Sequence, residues 1–171
     1  MKNIFLIGYM GTGKSTVAAR MAKQHGMEVL EMDQMIVERE GMSISDIFEK
    51  RGENYFRDVE TKLLIEIQTQ ENKVVSCGGG VVLREQNIAE MQKGGSIVLL
   101  SAKPETILER VKDDNSRPLL QGNKTVEFIS EMMEKRRSKY ESAADIIIQT
   151  DNKQVADICN EILKKIERQG E

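Results

Sequence analysis

Eight residues near the start of the chain, Gly8-Tyr9-Met10-Gly11-Thr12-Gly13-Lys14-Ser15, fit the pattern G-x-x-x-x-G-K-[ST]. In such a loop the glycines let backbone N–H groups approach phosphate oxygens, and the helix that follows presents its positive end to them. Lys14 adds a mobile positive charge over the β- and γ-phosphates, while the Ser15 hydroxyl suits a Mg2+ whose other positions are filled by phosphate oxygens and water. The ligand implied is a nucleoside triphosphate, with Mg2+ as the cofactor. The string lies between an apolar run of strand length and an amphipathic stretch, which is the context the loop requires.

What receives the phosphoryl group must be read from other residues. The nearest string to a guanine-reading N-K-x-D motif, Asn152-Lys153-Gln154-Val155, lacks the Asp, which disfavours a GTPase switch. A motor or transporter ATPase is normally longer and carries an apolar strand ending in Asp. Asp33 follows the second apolar run and could cap a helix or reach a ligand. Gly78-Gly79-Gly80 follows the third run, where it could form a flexible turn or let a ligand approach the backbone. Ile129, Met133, Arg136 and Tyr140 stand at i, i+4, i+7 and i+11, so Arg136 continues an inward stripe. A charge there needs either a structural salt bridge or an anionic ligand, to which guanidinium offers a bidentate fork. Arg57 borders the stripe of its own helix and shares a face with Glu60 and Thr61. Arg117 lies just before Pro118, as a solvated side chain or as part of a lid over phosphates.

The elements that must position these groups follow from periodicity. Apolar runs at Ile4 to Ile7, Val29 to Leu30, Val74 to Cys77, Ile97 to Leu100 and Ile146 to Ile148 alternate with stretches of helical spacing. The runs are too continuous to alternate inside and outside, as expected of parallel strands covered on both faces. The fold predicted is α/β, a doubly wound five-stranded parallel sheet flanked by helices. Pro104 marks a helix start, and Ser43-Ile44-Ser45-Asp46 and Asp151-Asn152-Lys153-Gln154 are spaced like N-caps. Gly52 closes a short helix, after which Tyr55 to Gln68 reads as a long one, with Phe56, Val59, Leu63 and Ile67 on its buried stripe. Another helix is expected from about Val126 to Tyr140. The span from Lys112 to Lys124 has no period and reads as a long loop.

Composition narrows the function classes. The 171 residues fit one domain, and 39% apolar with 31% charged residues describes a soluble, folded chain. No run approaches a membrane span, and the N-terminal apolar run is too short for a signal-peptide core, so a cytoplasmic protein is expected. Lys plus Arg number 25 against 28 Asp plus Glu, which gives no sign of nucleic acid or anionic lipid as a partner. Cys77 and Cys159, with His25 the single histidine, supply neither a disulfide framework nor a zinc site. The ten Met read as adaptable core filler.

With the loop continuing through Thr16, the motif residues occur in one order: Asp33, Ser45-Asp46-Ile47-Phe48, Gly52-Glu53, Phe56-Arg57, Gly78-Gly79-Gly80, Arg117-Pro118-Leu119-Leu120, and Arg136 four residues before Tyr140. In that order and spacing, over nearly its whole length, the chain resembles the shikimate kinases. The resemblance implies a P-loop NTPase core in one domain over residues 1–171, with an acceptor-binding region at about 33–60 and a lid loop at about 112–124. It implies ATP-dependent phosphorylation of the 3-hydroxyl of shikimate, giving shikimate 3-phosphate and ADP in aromatic amino-acid biosynthesis.

By similarity, Gly11, Thr12, Gly13, Lys14, Ser15 and Thr16 bind ATP, Ser15 holds Mg2+, and Asp33, Arg57, Gly79 and Arg136 bind shikimate. Arg117 reaches the ATP phosphates from the lid, and Lys153 falls at an adenine-side position. Lys14, Asp33 and Arg117 are the expected catalytic groups, and a monomer is expected. In one departure, Glu31-Met32-Asp33 stands where the family commonly has Asp-x-Asp, and Glu31 is not counted as a direct metal ligand. The rival readings are another small P-loop kinase with gluconate or a nucleotide as acceptor, or a non-catalytic ATP-binding regulatory module. The first lacks a paired Arg clamp, and the second gives Arg57, Arg117 and Arg136 no common purpose.

Overall fold

The computed structural model describes residues 1–112 and 125–171. The expected lid, and Arg117 with it, lies outside the described residues. Five parallel strands form one sheet in the order β2-β3-β1-β4-β5: β1 (Asn3–Ile7), β2 (Glu28–Glu31), β3 (Lys73–Ser76), β4 (Gly95–Ser101) and β5 (Ile146–Gln149). All of β1 is buried, with Ile4 opposite Val74 on one side and Phe5 opposite Ile97 on the other. Side chains alternate across the sheet, so each central strand feeds two cores. Ile4, Leu6, Val98 and Leu100 meet Val17 and Met21 of α1 (Lys14–His25) and Ile158 and Ile162 of α8 (Val155–Gln169). Phe5, Ile7, Val75, Ile97 and Leu99 face the opposite layer. That layer includes α2 (Met32–Glu40), α3 (Ile44–Arg51), α4 (Glu53–Ile67), α5 (Glu85–Gly94), α6 (Pro104–Val111) and α7 (Val126–Ala143).

The expectation of continuous burial holds for the interior strands and fails at the edges. In β5 only Ile146 and Ile148 are covered, while Ile147 is 44% exposed. An edge strand leaves backbone groups unpaired, and here Lys165 of α8 donates to the Ile147 carbonyl at 3.3 Å.

Local signals set most helix ends. The Ser43 hydroxyl accepts from Asp46 N at 3.1 Å at the start of α3. Gly52, at φ 86°, ends α3 and opens α4, so two helices meet at a sharp corner that a β-carbon would strain. Pro104 is the first residue of α6, as its fixed φ favours. The expected cap at Asp151 is not formed, because Asn152 turns the chain at φ 56° and α8 begins only at Val155. The Asp151 carboxylate serves another helix instead. It accepts from Lys103 N at 3.0 Å and Thr106 Oγ1 at 2.6 Å at the start of α6, and these bonds hold its pKa below the ordinary carboxylate value despite some burial.

Strands β1 and β3 are neighbours, yet the chain leaves β1 toward the α1 layer and β3 toward the α5 layer. Their carboxyl ends therefore flank a crevice, the usual ligand site of an open α/β sheet.

Candidate active site

The crevice is a cleft of about 700 Å3. One wall is the loop from Gly8 to Gly13, which joins β1 to α1, together with the first residues of that helix. Gly13 stands at φ 96° just before α1, and a β-carbon there would meet nothing within 4 Å. The helix start faces open cleft, and among the described residues no side chain caps it and no acidic residue sits in its first turn. Unsatisfied N–H groups and the helix dipole make this end a receptor for anions. Lys14 Nζ donates to the Gly8 and Tyr9 carbonyls at 2.7 and 3.0 Å, so the ammonium is held at the mouth of the loop. Gly11, Gly13, Lys14, Ser15 and Thr16 line the cleft. Thr12 does not: it is buried, and its hydroxyl donates to the Tyr9 carbonyl at 2.9 Å, bracing the loop from within.

Ser15 Oγ donates to Glu31 Oε2 at 3.0 Å and lies 3.4 Å from Ser76 Oγ. A hydroxyl beside a carboxylate is a hard oxygen donor set of the kind Mg2+ takes, usually with several waters retained. The residues therefore fit the cation that the loop implies, and the carboxylate of Glu31 is part of that environment.

The other wall gathers groups from four elements. Asp33 is the second residue of α2 rather than its cap, which is Glu31, and its Oδ1 lies 2.8 Å from where a Gly78 β-carbon would be. Arg57 of α4 is 6% exposed, and its guanidinium donates to Glu60 Oε1 at 3.0 Å and Glu53 Oε1 at 3.4 Å. A β-carbon on Gly80 would run into that guanidinium, so the glycine turn and Arg57 share one space. Arg136 of α7 is 7% exposed, and its Nη1 lies 3.6 Å from where a Gly79 β-carbon would be. Among the described residues no carboxylate pairs with Arg136, which leaves a buried cation facing the cleft rather than a structural salt bridge.

Sequence periodicity places Glu60 beside Arg57, but only tertiary packing reveals its depth. The residue is fully buried, and its second oxygen, Oε2, has no hydrogen-bond partner among the described residues. Burial pushes its pKa up to about 7. Arg57 pulls against that shift, and the nearby Asp33 carboxylate adds to it. The Cys77 thiol lines the same cleft, fully enclosed, and burial raises its pKa strongly, so it remains an inert neutral group. Tyr140 donates its hydroxyl to the Gly79 carbonyl. Arg110 of α6 donates to the Gly11 carbonyl at 2.9 Å, a support for the phosphate loop that no sequence pattern indicates.

Lys153 stands apart. Its ammonium pairs with Glu161 of α8 at 2.9 Å, and it does not line the cleft. No helix among the described residues is long and apolar enough to cross a membrane.

The family model for shikimate kinase matches residues 10–167. A shikimate kinase from Sulfurihydrogenibium sp. is 44% identical over 168 residues, which covers 98% of this chain and 99% of that protein. One from Persephonella marina is 42% identical and covers 97% and 99%. Among solved structures, a shikimate kinase from Acinetobacter baumannii in complex with shikimate superposes with a TM-score of 0.93 at 33% identity, covering 99% of this chain and 94% of that one.

Proposed function

The chain belongs to the shikimate kinase family and is an ATP-dependent kinase for a hydroxyl of shikimate, and we propose that the hydroxyl is the one at position 3 and that the two walls of the cleft divide the work. The observation that carries this reading is the guanidinium of Arg136, buried at 7% exposure beside the glycine turn with no carboxylate partner among the described residues. A buried cation without a carboxylate partner is costly unless a ligand supplies the anion. Shikimate carries one carboxylate, and Arg136 with Arg57 would grip it in bidentate fashion.

With the carboxylate fixed, the ring hydroxyls face Asp33 and the backbone of Gly79. Asp33 hydrogen-bonds them and accepts the proton of the attacking oxygen. The N–H groups of Gly11, Gly13, Lys14, Ser15 and Thr16 receive the phosphates, and Lys14 leaves its carbonyl partners to meet the transferring group. Thr12 contributes through its backbone. In a loose phosphoryl-transfer transition state most of the rate comes from such positioning and charge stabilisation rather than from base strength. Ser15, with Glu31 beside it, would hold Mg2+, which would supply charge neutralisation to the ATP phosphates. Arg117, outside the described residues, is the group that the resemblance to the family assigns to the ATP phosphates, where it would add positive charge. Lys153 reaches the adenine side only by leaving Glu161.

A coupled assay of ADP release with MgATP tests the reading. Shikimate should support turnover, while gluconate and nucleoside monophosphates should not. Activity on either of the latter, with none on shikimate, refutes it. Product analysis by 31P and 1H NMR then assigns the phosphorylated hydroxyl.

A further inference from the structure

Tyr140 is buried at 5% exposure and reaches across 61 positions of sequence to the Gly79 carbonyl. That carbonyl belongs to the central peptide of a tight turn, in which Val81 N donates to the Gly78 carbonyl at 3.1 Å. Gly80 stands at φ −100° and ψ 10°, the values of the third residue of a type I turn. A type II turn differs by a half-rotation of that central peptide and needs φ above zero at its third residue, where glycine carries no penalty. With glycine at both central positions the backbone itself scarcely discriminates between the two. The orientation matters, because in a trans peptide the carbonyl and the next N–H point in opposite directions. With the Gly79 carbonyl toward α7, the Gly80 N–H points away from it. Among the described residues neither the Gly79 nor the Gly80 N–H donates a hydrogen bond, and both glycines line the cleft.

We propose that Tyr140 is a positioning residue for the acceptor: its hydroxyl locks the glycine turn in the type I form, so that the Gly80 N–H faces the cleft and donates to bound shikimate between Arg57 and Arg136. This inference rests on the function proposed above. Burial pushes the phenol pKa up to about 12, so the donor persists over the whole working pH range. Arg136, one helical turn earlier on α7, lies against the same phenol and pulls its pKa partly back, which ties the turn and the guanidinium into one unit.

Tyr140→Phe keeps the ring and removes only the hydroxyl. The KM for shikimate should rise about tenfold, the size of one lost neutral hydrogen bond, while the KM for ATP stays within twofold. In glycine-labelled protein, a strong Gly79 N–H to Gly80 N–H cross-peak should mark the type I turn and give way in the variant to a Gly79 Hα to Gly80 N–H cross-peak. An unchanged shikimate KM, an equal rise in both KM values, or an unchanged cross-peak pattern overturns the inference. Wild-type protein provides a test that needs no variant. Shikimate alone should shift the Gly80 amide resonance and leave the type I pattern intact, and a turn that is type II or unresponsive overturns the inference as well. Wild type that releases no ADP with shikimate overturns the functional reading and this inference together. Active wild type matched by Tyr140→Phe overturns the inference alone.

Discussion

Replacing Glu60 by Gln should change how shikimate affinity depends on pH. The Glu60 carboxyl is fully buried, with Oε1 at 3.0 Å from Arg57 Nη1 and a pKa raised to about 7. The groups acting on it are Arg57 and Arg84, which favour its charge, and Asp33, which opposes it. When ionised, Glu60 neutralises the Arg57 guanidinium proposed to grip the acceptor's carboxylate; when protonated, it leaves that guanidinium available. On the proposed clamp, shikimate should therefore bind the protonated form better. With a pKa near 7, the protonated fraction falls from about 0.9 at pH 6 to about 0.1 at pH 8, so the shikimate KM should rise about tenfold across that interval. In Glu60→Gln the amide oxygen still accepts from Arg57 but nothing titrates, so the KM should stay flat and close to the low-pH value of the wild type. Steady-state kinetics at saturating MgATP from pH 6 to 8.5 test this, and titration of the nucleotide, common to both enzymes, cancels in the ratio.

Stability should follow the same proton. A carboxyl whose folded pKa exceeds its unfolded value stabilises fully below the unfolded value, and that contribution is lost as pH rises through the folded one. The shift from 4.5 to about 7 corresponds to about 3 kcal/mol lost across that window. Denaturant titrations should show the loss in the wild type and its absence in the variant. A wild-type KM that is flat with pH, or an equal slope in Glu60→Gln, refutes the reasoning.

Other substitutions separate the roles of neighbouring groups. Arg136→Lys keeps the charge but loses the fork, and should raise the shikimate KM roughly 10- to 100-fold with the ATP KM unchanged; equal effects on both substrates in steady-state kinetics would contradict the clamp. Gly80→Ala is free of backbone strain at φ −100°, but its β-carbon displaces the Arg57 guanidinium. It should lower kcat/KM for shikimate on the order of 100-fold with little change in ATP binding by calorimetry. Ser43→Ala removes the cap on Asp46 N and should cost about 1 kcal/mol, seen as a fall of about 3 °C in the thermal midpoint without a change in the shikimate KM.

What could be read before folding was whatever depends on local chemistry or on the period of one helix. The phosphate loop is such a feature, since its glycines, lysine and serine act within eight residues. Arg136 is another, because the spacing with Ile129 and Tyr140 alone turns it inward, and it is buried. Groups whose role depends on contacts distant in sequence were not legible. Glu60 shares a face with Arg57 in any helix, but its depth comes from the glycine turn and Asp33 packing over it. Glu31 carries a long side chain whose meeting with Ser15 depends on β2 and the start of α1 lying side by side. Asp151 reads as a cap for the helix next in sequence, but beside the turn at Asn152 its carboxylate accepts from Lys103 N and Thr106 Oγ1 at the start of α6 instead.

The resting cleft also explains how so acidic a neighbourhood can select an anion. Between Glu31 and Glu60 the chain holds nine Asp or Glu against four Arg or Lys. Several groups expected to meet substrate are already engaged by the protein: Lys14 by two carbonyls, Ser15 by Glu31, and Arg57 by Glu60 and Glu53. At these groups a ligand must exchange bonds rather than create new ones, so a neutral molecule of similar shape gains little there. A carboxylate and a phosphate gain more, because each replaces a weaker or partly protonated partner with a charge-assisted bond. Arg136, with no carboxylate of its own among the described residues, would then be the group that draws the acceptor in. Arg57 would tighten on it only after Glu60 takes up a proton. On this view the acidic residues keep the cations fixed and solvent-shielded, and selectivity arises from which ligand can displace them.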